Sequence, residues 1–119
     1  MCTKIELNTK VNDSKYVLRY LPTFYDDLEQ KVMYIAEKLK NPQAAKKMLD
    51  DVENAILERL PNAESFEKYH SKYDRKYIYY RIYVKNHVIY YVVIDDESEE
   101  KIMEVRRFLY DKQDITFVI

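Results

Sequence analysis

Not one of the 119 residues of this chain is glycine. Glycine is the default residue where a turn needs a positive φ, where a helix terminates in the left-handed conformation, or where backbone must approach a ligand closely. Without it, turns fall to Asn, Asp, Pro and Ser. The glycine-rich loops that cradle phosphates, G-x-G-x-x-G and G-x-x-x-x-G-K-[ST], are excluded outright, and with them the nucleotide-cofactor enzymes built on those loops. The strained glycine turn that exposes a nucleophilic serine is excluded as well. The single Cys2 cannot form an internal disulfide, and with only His70 and His87 beside it there is no ligand set for a structural zinc. The reading is of a protein without metal or cofactor.

The chain is nevertheless built to fold. Hydrophobic residues make up 47%, including thirteen Tyr and four Phe, enough apolar surface to offset the ordering entropy of one domain. No run of about 18 apolar residues is present, and the start Met-Cys-Thr-Lys-Ile-Glu lacks an apolar signal region, so a soluble, cytoplasmic protein with no membrane partner is expected. Residues 1–14 carry little apolar periodicity and read as an arm, leaving 15–119 as a single domain.

Within that domain, Tyr16 to Leu21 is β-branched and aromatic and is stopped by Pro22, which predicts a first strand. Thr23 and Asp26 resemble a helix cap, and Phe24, Leu28, Val32, Ile35 and Leu39 then recur at helical spacing, leaving Asp27, Lys31 and Lys38 for water. Asn41-Pro42 opens a second helix whose apolar face is Ala45, Met48, Val52, Ala55, Ile56 and Leu60, and Pro61 ends it. Tyr77–Val84 and His87–Ile94 form a β-hairpin across Lys85-Asn86, with Asn86 expected at the positive φ. Asp95 to Glu100 holds five acidic residues in six and reads as a solvated turn before a last strand, Lys101–Tyr110. The order β-α-α-β-β-β predicts an α+β domain, its helical hairpin packed on one face of a mostly antiparallel sheet and the other face free for function.

The formal net charge is −1, so any attraction for polyanions must be local. The stretch Phe66–Lys85 supplies it: Lys68, Lys72, Arg75, Lys76, Arg81 and Lys85, with His70, interleave with Tyr69, Tyr73, Tyr77, Tyr79, Tyr80 and Tyr83. Cations for phosphates and aromatic faces for bases are what single-stranded nucleic acid requires, although a Tyr-rich sheet with lysine-protected edges has the same composition. Strand alternation puts Tyr79, Arg81 and Tyr83 on the free face. Arg106 and Arg107 point to opposite faces unless a bulge intervenes; parity favours Arg106 beside Arg81, and the alternative is a partly buried, paired Arg107. His87, beside the hairpin turn, reads as polar surface or as an acid–base group.

Several of these segments in this order resemble the RelE/ParE toxins of bacterial type II toxin–antitoxin systems: Asn41-Pro42-Gln43-Ala44-Ala45, Tyr80-Arg81-Ile82-Tyr83-Val84-Lys85-Asn86-His87-Val88-Ile89-Tyr90-Tyr91, and Val105-Arg106-Arg107-Phe108-Leu109-Tyr110. The resemblance spans roughly residues 15 to 115. It implies a cognate antitoxin as partner and, for RelE-like members, metal-independent cleavage of mRNA on the ribosome, in which the 2′-hydroxyl attacks the neighbouring phosphate. On that reading Arg81 and Arg107 stabilise the phosphate and Tyr110 transfers a proton or stacks on a base. Lys68, His70, Lys72, Arg75, Lys76, Tyr79, Tyr83, Lys85 and Arg106 would bind RNA. Such a ribosome-associated mRNA endoribonuclease is the leading expectation under the resemblance; ParE-like members share the scaffold and poison DNA gyrase instead, which is the alternative. A third possibility under the resemblance is a degenerate toxin kept as a binding subunit. The family's common ending Tyr-Gly-Arg-Arg-Asp is here Tyr110-Asp111-Lys112-Gln113-Asp114, which places an acid where phosphate would be repelled.

Overall fold

The computed structural model describes residues 16–72, 76–95, 100–115 and 118–119. The expected arm of residues 1–14, Tyr73 and Arg75, and most of the acidic turn after Asp95 lie outside them. The elements are β1 (Tyr16–Tyr20), α1 (Pro22–Met33), α2 (Pro42–Arg59), β2 (Lys68–Tyr69), β3 (Tyr79–Val84), β4 (His87–Ile94) and β5 (Lys101–Tyr110). They form one five-stranded sheet in the order β1-β5-β4-β3-β2, antiparallel except for the β1–β5 pair. The α+β architecture read from the sequence is the one found, with β2 added. Two residues are too few to leave a periodic signal, and β2 exists because Lys68 and Tyr69 pair with Tyr80 and Tyr79.

Alternation explains how the helices find the sheet. Tyr16 and Leu18 on β1, Tyr80 and Ile82 on β3, Ile89 and Tyr91 on β4, and Met103 and Val105 on β5 face the helices, where Phe24, Leu28, Val32, Val52 and Ile56 fill the same core. Asn41 caps α2 as expected, its Oδ1 accepting the Ala44 N–H at 3.1 Å, and Pro42 occupies the first turn. Tyr91 anchors the far end of the helical layer. Its hydroxyl donates to the Ala63 carbonyl at 2.6 Å and accepts from Arg59 Nη1 at 2.9 Å, while the Arg59 guanidinium lies 3.4 Å from the Phe66 ring centre.

Four local expectations are corrected. Leu21, not Thr23, sits at the cap position of α1, without a side-chain hydrogen bond. The helix loosens after Met33 into a π-turn over Tyr34–Lys38, so Ile35 is half-buried and Leu39 is exposed rather than continuing the apolar stripe. In the hairpin turn the positive φ falls on Lys85 (55°), not Asn86; Lys40, which joins the helices, has φ 50°. A two-residue turn matching the strand twist needs a positive φ at its first central position, and Lys85 occupies it. Finally, the sheet face without helices is not free. Tyr79, Val88, Tyr90, Val92 and Leu109 form a second buried cluster there with Ile119, against which Ile115 and Val118 pack.

Candidate functional site

The arginines of the last strand are placed by a bulge. Register between β4 and β5 runs regularly from Ile94↔Ile102 to Tyr91↔Val105, then jumps to Tyr90↔Arg107, so Arg106 and Arg107 together oppose Tyr90. The extra residue switches the alternation: Met103 and Val105 face the helices before it, Phe108 after it. Arg106 turns to the face without helices, its guanidinium 5.0 Å from the Tyr77 ring centre and 5.8 Å from that of Tyr79, with Nε 3.7 Å from buried Glu104. Arg19 of β1 holds the same carboxylate, its Nε donating to Oε2 at 2.9 Å.

Arg107 goes the other way, to α1. Its Nε donates to Asp27 Oδ2 at 2.7 Å and its Nη2 to Oδ1 at 3.0 Å; the Phe108 N–H also donates to Oδ2, at 3.0 Å. One turn earlier, Thr23 Oγ1 donates to the Arg106 carbonyl at 2.9 Å. β1 stops pairing at Tyr20↔Val105, so from Arg106 onward that side of β5 has no strand beside it. Thr23 and Asp27, four residues apart on one helix face, supply the missing partners. This corrects two assignments: Thr23 satisfies a strand rather than a helix end, and Asp27 is an organising carboxylate rather than a solvated one. Of the two expectations for the arginine pair, Arg106 facing the sheet surface and Arg107 paired and partly buried, the bulge delivers both.

Arg81 stands opposite Tyr90 on β3, on the face without helices, as alternation required. Its guanidinium lies over Tyr69 at 4.8 Å and near Tyr83 at 5.9 Å, and Tyr69 meets Tyr90 at 6.1 Å. Tyr83 is 62% exposed, and Lys68, His70, Lys72, Lys76 and Lys85 are exposed; Lys68 pairs with Tyr80, whose side chain faces the helices, and the Lys85 ammonium lies 3.7 Å from Asp51 of α2, so these two do not join Arg81. His70 and Lys72 line an open cleft with Ser71, Tyr77 and Ile78. Tyr79 is corrected: it is 2% exposed, inside the second cluster, and offers no stacking surface. Arg75 lies outside the described residues.

Tyr110 and His87 occupy the opposite face. His87 is buried rather than polar surface, stacked on Phe108 with ring centres 4.8 Å apart, and Tyr110 approaches it edge-on at 5.8 Å. Burial lowers the His87 pKa below its usual 6.5, helped by the charge of Lys31 and opposed by Asp111. Its Nδ1 is buried without a hydrogen-bond partner, so the ring sits in the core in its neutral form near pH 7. Burial likewise raises the Tyr90 hydroxyl to about 12, with neighbouring Tyr69 adding to the shift and the Arg81 charge opposing it.

The three residues the resemblance would make catalytic are therefore not gathered. Arg81 projects from one face, Tyr110 lies on the other with His87, and Arg107 is spent on Asp27 at the edge between them. What the structure does assemble on one face is a pair of cation–aromatic stacks, Arg81 with Tyr69 and Tyr83, and Arg106 with Tyr77 and Tyr79. Among the described residues no group of three His, Cys, Asp or Glu could hold a metal ion, and no helix is long and apolar enough to cross a membrane. Sequence reasoning missed Asp27, Glu104, Arg19 and Arg59; their partners are distant in the chain, and only the paired alternative for Arg107 hinted that a carboxylate had to be found.

Compared with models of protein families, residues 18–115 match the one described as ParE toxin of type II toxin-antitoxin system, parDE. No curated protein matches the chain.

Proposed function

This chain belongs to the ParE toxin family of type II toxin–antitoxin systems, and on that footing we propose that it arrests growth by binding and inhibiting DNA gyrase rather than by cutting mRNA on the ribosome. Membership in such a system implies a cognate antitoxin as the partner that restrains it. The observation that carries the choice of mode is the engagement of Arg107. Phosphoryl chemistry needs preorganised cations aimed at the developing charge, and a guanidinium held through two nitrogens by Asp27 is already neutralised. Tyr110, on the face opposite Arg81, cannot share a phosphate with it without rearrangement of the sheet. A protein of net charge −1 also lacks the overall field that draws a nuclease to RNA.

The ribonuclease reading draws on one observation, the stacking of Arg81 between Tyr69 and partly exposed Tyr83, which resembles a platform for a base and its phosphate. The two separate cleanly on induction without antitoxin. Gyrase inhibition predicts growth arrest with a DNA-damage response, intact mRNA, and arrest that persists in Arg107→Lys. New mRNA 5′ ends that vanish in the Arg81→Ala, Arg107→Ala double variant would establish the ribonuclease instead. Absence of arrest from soluble protein would leave a non-catalytic binding subunit.

A further inference from the structure

Beyond the end of β1, the edge of β5 and the polar side of α1 leave a cleft of about 230 Å³ between them. Asp27, Gln30 and Lys31 wall it on the helix side, and Arg107, Phe108, Leu109 and Gln113 on the strand side. Phe108 and Leu109 bury their side chains in the two cores, so they offer the cleft backbone, and every other wall is polar. The charges of Asp27 and Arg107 cancel across their two hydrogen bonds, and the Phe108 N–H takes up more of that carboxylate. Lys31 is different. It is half-buried, and among the described residues no carboxylate lies within ion-pairing distance of its ammonium. The carboxamides of Gln30 and Gln113 and the Nη1 of Arg107 likewise make no hydrogen bond among the described residues. One uncompensated cation and N–H donors from the helix, the strand and the turn after it thus converge where the only carboxylate is already occupied, which is the composition of an anion receptor.

We propose that this cleft binds a phosphate group, with the Lys31 ammonium as its cation and Gln30, Gln113 and Arg107 Nη1 as its hydrogen-bond donors. Donors on facing walls suit a tetrahedral anion, whose oxygens point in several directions, better than a planar carboxylate, and a lysine meets phosphate as a point charge. A free phosphate ion and a phosphate of a polynucleotide backbone present the same chemistry to these groups. The site is apart from Arg81, which projects from the sheet face without helices, and it does not depend on how the chain arrests growth. A reporter lies behind its wall. His87 stacks on Phe108 with ring centres 4.8 Å apart, and its pKa is lowered first by burial and then by the charge of Lys31, against the opposing charge of Asp111. An anion held on Lys31 offsets one of the two lowering causes, so occupancy moves the His87 pKa back toward its usual value.

Titrating inorganic phosphate into the whole chain, followed by NMR at constant ionic strength, tests this. The side-chain amides of Gln30 and Gln113 should shift saturably with phosphate and stay still with chloride, and the His87 ring should titrate at higher pH in saturating phosphate. Lys31→Gln should weaken the response about ten-fold or more, while Lys31→Arg, which keeps the cation, should retain it. Gln113→Glu changes an exposed residue outside the helices and the strands, and should abolish the response by adding an acid to the cleft. Amides that ignore phosphate, that respond equally to chloride, or that respond undiminished in Lys31→Gln or Gln113→Glu overturn the proposal. A short DNA duplex supplies the second arm. If it moves the same amides and competes with phosphate, the phosphate bound is that of a nucleic-acid backbone; if it leaves them unmoved where inorganic phosphate shifts them, the ligand is the free ion.

Discussion

Asp27 shows how much one side chain can decide. Its two oxygens serve Arg107 Nε, Arg107 Nη2 and the Phe108 N–H, so it balances a charge, closes a strand edge and fixes the direction of a bulged arginine at once. Removing it leaves a partly buried guanidinium and a backbone donor unsatisfied, whereas removing Arg107 leaves the carboxylate its backbone bond. Asp27→Ala is therefore expected to destabilise the protein by about 2–3 kcal/mol, and Arg107→Ala by less. Urea denaturation of both variants and the double variant measures the coupling; additive losses would mean the pair is not a unit. Nothing in the local sequence marks Asp27, which lies on an amphipathic helix among other polar residues. The information that it has a partner resides in the bulge, and a bulge is invisible to alternation because the strand reads as regular on both sides of it.

At the scale of elements, strands and helices were legible because their periods are long and their ends are punctuated. Lys101–Tyr110 and His87–Ile94 appear with the ends read from the sequence, and the Asn41 cap with its Pro42 is where the residue types put it. Connections were less legible because glycine, the usual signpost, is missing. The chain places Lys40 at φ 50° and Lys85 at φ 55°, conformations that crowd a Cβ against backbone. Lys85 gains little in return, a 3.7 Å approach of its ammonium to Asp51 at the surface. Lys85→Gly is expected to stabilise the protein by about 0.5–1 kcal/mol, the relief of strain being partly offset by the freer unfolded chain. A lower urea midpoint for that variant would show that the lysine side chain contributes more than its backbone costs. The same reasoning covers β2: two residues paired to β3 are a consequence of tertiary contact, and no local rule announces them.

For the whole molecule, ionisable groups buried by the fold set a pH window. The His87 pKa is lowered by burial, so its contribution is fully present above about 6.5 and is lost as pH falls below it, where the unfolded chain binds the proton first. Tyr16, Tyr90 and Tyr91 are raised from 10.0 to about 12, chiefly by burial, so theirs is fully present below about pH 10 and is lost as pH rises toward 12. Unfolding free energy measured against pH should fall on both sides of that range, and His87→Phe should flatten the acid side while leaving the alkaline side unchanged. An alkaline limb that began near pH 8 would contradict the tyrosine origin. The two-layer plan was readable because each face of each element is chemically one-sided. The second cluster was not, since Ile115, Val118 and Ile119 are too few to show a period and are defined only by the sheet they cover. One further property follows from the order of strands. β5 lies between β1 and β4 and is the last of the five to be synthesised, with Arg19 and Glu104 separated by 85 residues. On a translating ribosome both neighbours wait for the strand that joins them, so the sheet closes only after the final strand has emerged. The finished sheet, and every surface built across β5, therefore exists only after the last strand has left the ribosome.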